Sequence, residues 1–303
     1  MSAAGLRARL ARGEVLVGDG AWGTQLMARG LPPGQAPEWF ALERPEVIEE
    51  VARLYVEAGA DLVTTDTFGG NRFRLKLHGL DAELARVNRQ AVEAVKRAIA
   101  GRALVSASVG PTGQLLEPFG DTSADAAEQA FAEQIAVLAE AGADLVCIET
   151  MSDLTEAMRA VKAAKSVAPG LPVLATMTFE PNPRGYFTVM GTTVEQAVAG
   201  LVAAGADVVG SNCGTGIADM IGIARAMVRV ASVPIAIQPN AGLPETQASR
   251  IVYRETPESM AERVPELLDL GVAIVGGCCG TGPDHTRAVR AAVVAWQARG
   301  GRG

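Results

Sequence analysis

The residues best equipped for chemistry are the thiols. The chain holds four cysteines, Cys147, Cys213, Cys278 and Cys279, and only two histidines, His78 and His285. Two histidines cannot build a histidine-rich metal site, and a triad built around one has no support in the pattern. Cys278 and Cys279 are adjacent, with Gly276 and Gly277 before them and Gly280 after. Side chains of neighbours in an extended strand point to opposite faces. Both thiols therefore reach one ion only where the backbone leaves the strand, a freedom the flanking glycines supply. With Cys213 added, three thiolates and no fourth protein ligand describe a zinc site with an open coordination position. Zinc(II) on three thiolates carries one net negative charge. It is a poor Lewis acid for a carbonyl, but it can hold a fourth thiol as a nucleophilic thiolate. The chemistry expected is sulfur alkylation.

Other readings of the thiols stay open at this point, because the spacing of Cys213 from the pair is that of neither a zinc finger nor a ribbon. A vicinal disulfide would be strained and out of place in a reducing compartment. A closed structural site would need a fourth ligand. Cys147 lies two residues before Glu149, so both face one side of a strand, and with Glu149 at a rim Cys147 sits about 6–7 Å lower. A small core residue is the expectation for it. His285, at the start of the last helix, is expected to cap that helix rather than touch a substrate.

These residues need a scaffold, and a repeat announces one. Glu57-Ala-Gly-Ala-Asp-Leu-Val63 recurs as Glu140–Val146, as Ala203–Val209 and more loosely as Asp269–Val275. In each copy a helix ends, a glycine (Gly59, Gly142, Gly205, Gly271) supplies a left-handed cap, and a buried strand begins. One further apolar run lies inside each interval, at Ala103–Val109, Pro172–Thr178 and Pro234–Gln238, and Val15–Asp19 starts the series. Helical patterns span Pro45–Glu57, Leu80–Ala100, Ser123–Glu140, Asp153–Ser166, Thr193–Ala203, Asp219–Val230 and Thr256–Leu270. Ser2 is expected to cap a short N-terminal helix. Eight alternating strand–helix units predict an α/β fold, a single (β/α)8 TIM barrel over residues 1–303 with its core at about 13–296. An open doubly wound sheet is the alternative, weakened by the lack of a Gly-x-Gly-x-x-Gly after the first strand. In a barrel, function gathers at the C-terminal ends of the strands. There the sequence places Asp19, Asp66, Glu149, Cys213, Asn240, Cys278 and Cys279 on one rim.

At these residues the chain resembles the zinc-dependent homocysteine S-methyltransferase family. The resemblance is carried by Asp19-Gly-Ala-Trp-Gly-Thr24, Asp66-Thr-Phe-Gly-Gly-Asn71, Gly110-Pro-Thr-Gly113, Ile148-Glu-Thr150, Ser211-Asn-Cys213 and Gly276-Gly-Cys-Cys-Gly-Thr281. Pro239-Asn-Ala-Gly-Leu-Pro244 and Met177-Thr-Phe-Glu180 look most like the homocysteine module of cobalamin-dependent methionine synthase. Betaine– and S-methylmethionine–homocysteine methyltransferases are also similar. The resemblance implies zinc on Cys213, Cys278 and Cys279, and Glu149 on the substrate's amino group. It implies Asp19, Gly20 and Ala21 at the amino-acid end, and Asn240 approaching the metal when substrate is absent. The implied reaction is methylation of homocysteine to methionine. The methyl donor is left open. It could be a corrinoid (methylcobalamin) on a separate protein, a folate protein, or a small molecule. Another thiol or selenol acceptor, or a non-catalytic zinc- and homocysteine-binding module of a larger assembly, are the competing functions.

Composition narrows the remaining classes. The net charge is −7, from 27 basic and 34 acidic residues, and no basic run offers the footprint that nucleic-acid binding requires. No apolar stretch is long enough to span a membrane, and the N-terminus lacks the apolar core of a signal peptide. A cytoplasmic protein with reduced cysteines is expected.

Overall fold

The computed structural model describes residues 5–32, 34–247 and 250–301. The short apolar runs form eight parallel strands: β1 (Leu16–Val17), β2 (Leu62–Thr64), β3 (Leu104–Val109), β4 (Leu145–Met151), β5 (Val173–Met177), β6 (Val208–Asn212), β7 (Ile235–Gln238) and β8 (Ile274–Val275). Their hydrogen-bonded order is β1-β8-β7-β6-β5-β4-β3-β2. A parallel bridge between Gly18 and Leu62 joins the two ends of that series, so the sheet is a nearly closed TIM-type barrel. β6 and β8 both flank β7, which brings the ends that carry Cys213 and the Cys278–Cys279 pair to one arc of the rim.

Helices fill the connections where the 3.6-residue pattern and the caps require them. Ser123 and Asp153 accept from the first-turn amides of helices Ala124–Glu140 and Leu154–Val167. Thr193 and Thr256 open capping boxes for helices Val194–Ala204 and Pro257–Asp269. Three expectations shift. The Leu80–Ala100 pattern divides into a 3-10 turn, Asp81–Glu83, and a helix, Leu84–Ile99. The helix expected at Asp219–Val230 runs from Ile217 to Val228. The N-terminal helix is Leu6–Ala11 behind Gly5, with no side-chain cap, and Ser2 lies outside the described residues. Two antiparallel hairpins were not foreseen, Glu180–Asn182 with Gly185–Phe187 and Glu245–Gln247 with Arg250–Val252. Their three-residue strands are too short for a period-2 signal to stand out.

Inside the barrel, Leu16, Leu62, Leu104, Leu145, Cys147, Leu174, Val208, Ala236 and Ile274 pack as one cluster, and Leu6 of the N-terminal helix plugs its lower end. Gly59, Gly142, Gly205 and Gly271 all have positive φ, between 92° and 106°, as the repeat requires. The aspartates of the repeat have a task of their own at this lower end. Asp61 accepts from the Val17 amide (2.9 Å), Asp144 from Val105 (2.8 Å) and Asp207 from Val173 (2.8 Å). Each carboxylate thus pins the start of an adjacent strand. The loose fourth copy has Ala273 at this position. Among the described residues, no helix is long and apolar enough to cross a membrane.

Candidate metal and substrate site

The site begins where β6 and β8 stop being strands. Cys213 follows β6 with φ +60°, a left-handed conformation that is uncommon for a residue with a side chain. Its amide donates to the Gln238 carbonyl at 3.2 Å. Beyond β8 the chain turns at once. Gly277 donates to the Asp19 carbonyl (2.8 Å) and Cys278 to the Pro239 carbonyl (2.8 Å), and the Cys279 carbonyl accepts from Ala241 (2.9 Å). A Cβ on Gly277 would lie 2.3 Å from Thr281 Oγ1, so the approach needs glycine. Thr281 Oγ1 in turn donates to the Cys278 carbonyl at 2.7 Å. The outcome is a triad of sulfurs, Cys213, Cys278 and Cys279, all within 4.8 Å of one another, with Cys213 and Cys279 at 3.7 Å.

This geometry suits a tetrahedral ion. Metal–sulfur bonds of about 2.3 Å put sulfurs roughly 3.8 Å apart. The electrostatics agree. Hydrogen bonds from Cys213 and Cys278 draw the Cys279 thiol down to about 3, while Cys278, donating and buried, is held well above the usual thiol range. Cys278 also has a donor outside the triad, Asn212 Nδ2 at 3.7 Å.

Asn212 is a hub. Its Oδ1 accepts from the Thr150 amide (2.8 Å) and Thr176 Oγ1 (2.7 Å), and its Nδ2 also donates to Thr150 Oγ1 (2.8 Å). Thr150 sits at φ +60°, beside a register break between Ile148 and Met151 in β4. That break turns the end of β4 and sets Glu149 at the rim. Glu149 accepts from Ser108 Oγ. Burial pushes its carboxyl up to about 7, against the Ser108 bond, and the nearby charges of Asp19 and Cys213 push the same way.

Asp19 is 3% exposed. Its carboxylate is engaged inside the protein by the Thr64 amide (2.7 Å), the Thr64 hydroxyl and Trp22 Nε1 (2.9 Å), and burial raises it to about 6. Gly20 and Ala21 lie against the cysteine loop. A Cβ on Gly20 would meet Thr281 Oγ1 at 2.6 Å, and Ala21 donates to the Thr281 carbonyl (3.3 Å) while its own carbonyl accepts from Tyr55 (2.6 Å). Asn240, 3% exposed, has a buried Oδ1 without a protein partner. Cys147 is 3% exposed in the barrel interior, one layer below Glu149 and outside the sulfur triad. His285 accepts from the Gly282 amide as a helix cap and meets the Glu255 carbonyl at 3.0 Å.

Sequence reasoning thus named the three cysteines the structure brings together, but missed the roles of Asn212 and Thr281. Both stood inside quoted motifs, where their neighbours drew the attention.

The comparisons converge on one family. The sequence profile of the homocysteine S-methyltransferases matches residues 16–293. Methionine synthases of Mycobacterium leprae and Mycobacterium tuberculosis are each 35% identical over 92% of this chain, which spans 24% and 25% of their lengths. The metallated form of the homocysteine methyltransferase MmuM from Escherichia coli superposes with a TM-score of 0.79 at 25% identity, covering 94% of this chain and 99% of that one. A barrel whose rim carries the three-thiol cluster, matched by that profile across nearly its whole length, belongs to the homocysteine S-methyltransferase family.

Proposed function

We propose that the chain transfers a methyl group to the sulfur of homocysteine, giving methionine. The observation that carries this reading is the sulfur triad of Cys213, Cys278 and Cys279 at the barrel mouth, in a chain similar to a metallated homocysteine methyltransferase. Zinc held by these residues would bind the acceptor as its thiolate and keep that sulfur nucleophilic near neutral pH. Glu149 is the partner for the α-ammonium group, because a carboxylate beside the triad fixes the amino-acid end by a charge-assisted hydrogen bond. The Asp19 carboxylate holds the segment, and the backbone of Asp19, Gly20 and Ala21 lines the amino-acid end. Asn240, with its unpartnered Oδ1, is the group that occupies the open position when substrate is absent.

The methyl group comes from outside the chain. The methionine synthase relatives, four times as long, favour a corrinoid such as methylcobalamin carried on another protein or module as the donor. A reducing cytoplasm suits the site, since the triad must remain unoxidised. Metal analysis after dialysis against chelator should find one zinc per chain, lost in Cys213→Ala. Methionine formation should be assayed with methylcobalamin, betaine, S-methylmethionine and S-adenosylmethionine in parallel. Full zinc in Cys213→Ala, or no methionine from any of the four donors, overturns the reading.

A further inference from the structure

One side chain touches both ends of the site. Asn212 closes β6 and is fully buried. Its Oδ1 accepts from the Thr150 amide at 2.8 Å. That amide belongs to the peptide bond that Glu149 begins, so the contact grips the backbone from which the Glu149 carboxylate projects. On the other side of the same amide group, Nδ2 donates to the Cys278 sulfur at 3.7 Å. The orientation follows from chemistry. A main-chain N–H can only donate, so the oxygen must face Thr150, and the nitrogen is left for the sulfur. Two further bonds agree with it. Thr176 Oγ1 donates to Oδ1 (2.7 Å), and Thr150 Oγ1 accepts from Nδ2 (2.8 Å). The Thr178 hydroxyl donates to the Asn212 carbonyl (3.0 Å) and pins its main chain as well.

Both contacts fall where the chain needs them. Thr150 sits at φ +60°, a conformation that a β-branched residue adopts only where its surroundings impose it. Asn212 imposes it twice, through the Thr150 amide and through its hydroxyl. Without that hold, the end of β4 is free to relax and to turn Glu149 away from the mouth. At the other contact, an N–H directed at a thiolate withdraws charge from it, and outer hydrogen-bond partners orient and tune the ligands of a metal.

We propose that Asn212 is a positioning residue that ties the amino-acid end of the acceptor to the metal. Its Oδ1 sets the aim of Glu149, and its Nδ2 draws charge from Cys278, so the acceptor's ammonium and sulfur are held at one fixed span. This rests on the metal and Glu149 readings above, and the test separates them. The cobalt(II)-loaded protein, whose thiolate-to-metal band reports electron density on sulfur, is titrated with homocysteine and with 4-mercaptobutyrate, the same thiol acid without the amino group. Wild type should bind homocysteine roughly tenfold or more tighter than 4-mercaptobutyrate. Asn212→Ala should move the charge-transfer band to longer wavelength and abolish most of that preference, with far-UV circular dichroism unchanged. Asn212→Asp keeps an acceptor for Thr150 and Thr176 but loses the donor to sulfur. It should move the band in the same direction and keep the preference for homocysteine. If Asn212→Asp leaves the band in place, or Asn212→Ala keeps the wild-type preference, the side chain only fills space and the inference is overturned. A wild-type protein without a thiolate-to-cobalt band overturns the metal-site reading, and one with the band but no preference overturns the Glu149 assignment. Either result takes this inference with it.

Discussion

Glu149 stands at the rim with its carboxyl pushed up to about 7 by burial and by the charges of Asp19 and Cys213, far from an ordinary carboxylate. The folded protein therefore binds a proton there that the unfolded chain has released. Between about pH 4.5 and pH 7 the metal-free protein should lose stability as pH rises, and Glu149→Gln should flatten that slope in urea denaturation followed across pH. The same substitution should raise the homocysteine KM roughly tenfold or more, by loss of a charge-assisted hydrogen bond of about 1.5–3 kcal/mol, with zinc content unchanged. Unaltered KM would place the ammonium group elsewhere. Cys147, deeper on the same strand, should behave differently. Cys147→Ala removes one buried sulfur from the interior cluster and should cost about 1 kcal/mol through lost packing, with full metal content. At this scale the cysteines were legible because Ser211-Asn-Cys213 and Gly276-Gly-Cys-Cys-Gly-Thr281 together resemble a family pattern, where spacing alone left other readings open. Asn212 was not, because a buried amide announces itself only through its partners, and those come from β4, β5 and the β8 loop.

The elements owe their placement to a device that the repeat displays and the sequence does not explain. The glycine of each Gly-Ala-Asp turn could be assigned a left-handed cap from its type alone. The aspartate's type named no partner for it, yet it accepts the amide that opens a neighbouring strand. Asp207 shows the energetic balance most fully. Burial would raise its carboxyl, but hydrogen bonds from Arg7, Lys165 and the Val173 amide outweigh that and hold it below the ordinary value. Its contribution is therefore present above the unfolded pKa and is lost as pH falls through the folded one. Asp207→Ala leaves the Val173 amide without its side-chain acceptor and should cost about 1–3 kcal/mol in chemical denaturation, with zinc binding intact. The hairpins were illegible for the opposite reason. Glu180, Pro181 and Asn182 are all exposed, so no apolar alternation marks them, and only tertiary context makes them strands.

Across the whole molecule the sulfur triad and the core are separate. The interior cluster is closed below by Leu6 and shared among all eight strands, while the sulfur triad lies beyond the last strand residues of β6 and β8. Zinc removal should therefore leave far-UV circular dichroism unchanged at 25 °C and lower only the melting temperature, by the linkage that any native-state ligand imposes. Wholesale unfolding on chelation, the behaviour of a zinc finger, would contradict this picture.

The aspartate pins gather at one pole of the barrel and the thiols at the other, and this bears on the protein's history as much as on its physics. Substitutions that retune the mouth need not touch the carboxylates that set the strands, and losses of stability at the lower pole need not disturb the chemistry. Such a chain can drift toward new donors or partner modules through its rim loops while its folding instructions are inherited almost unaltered.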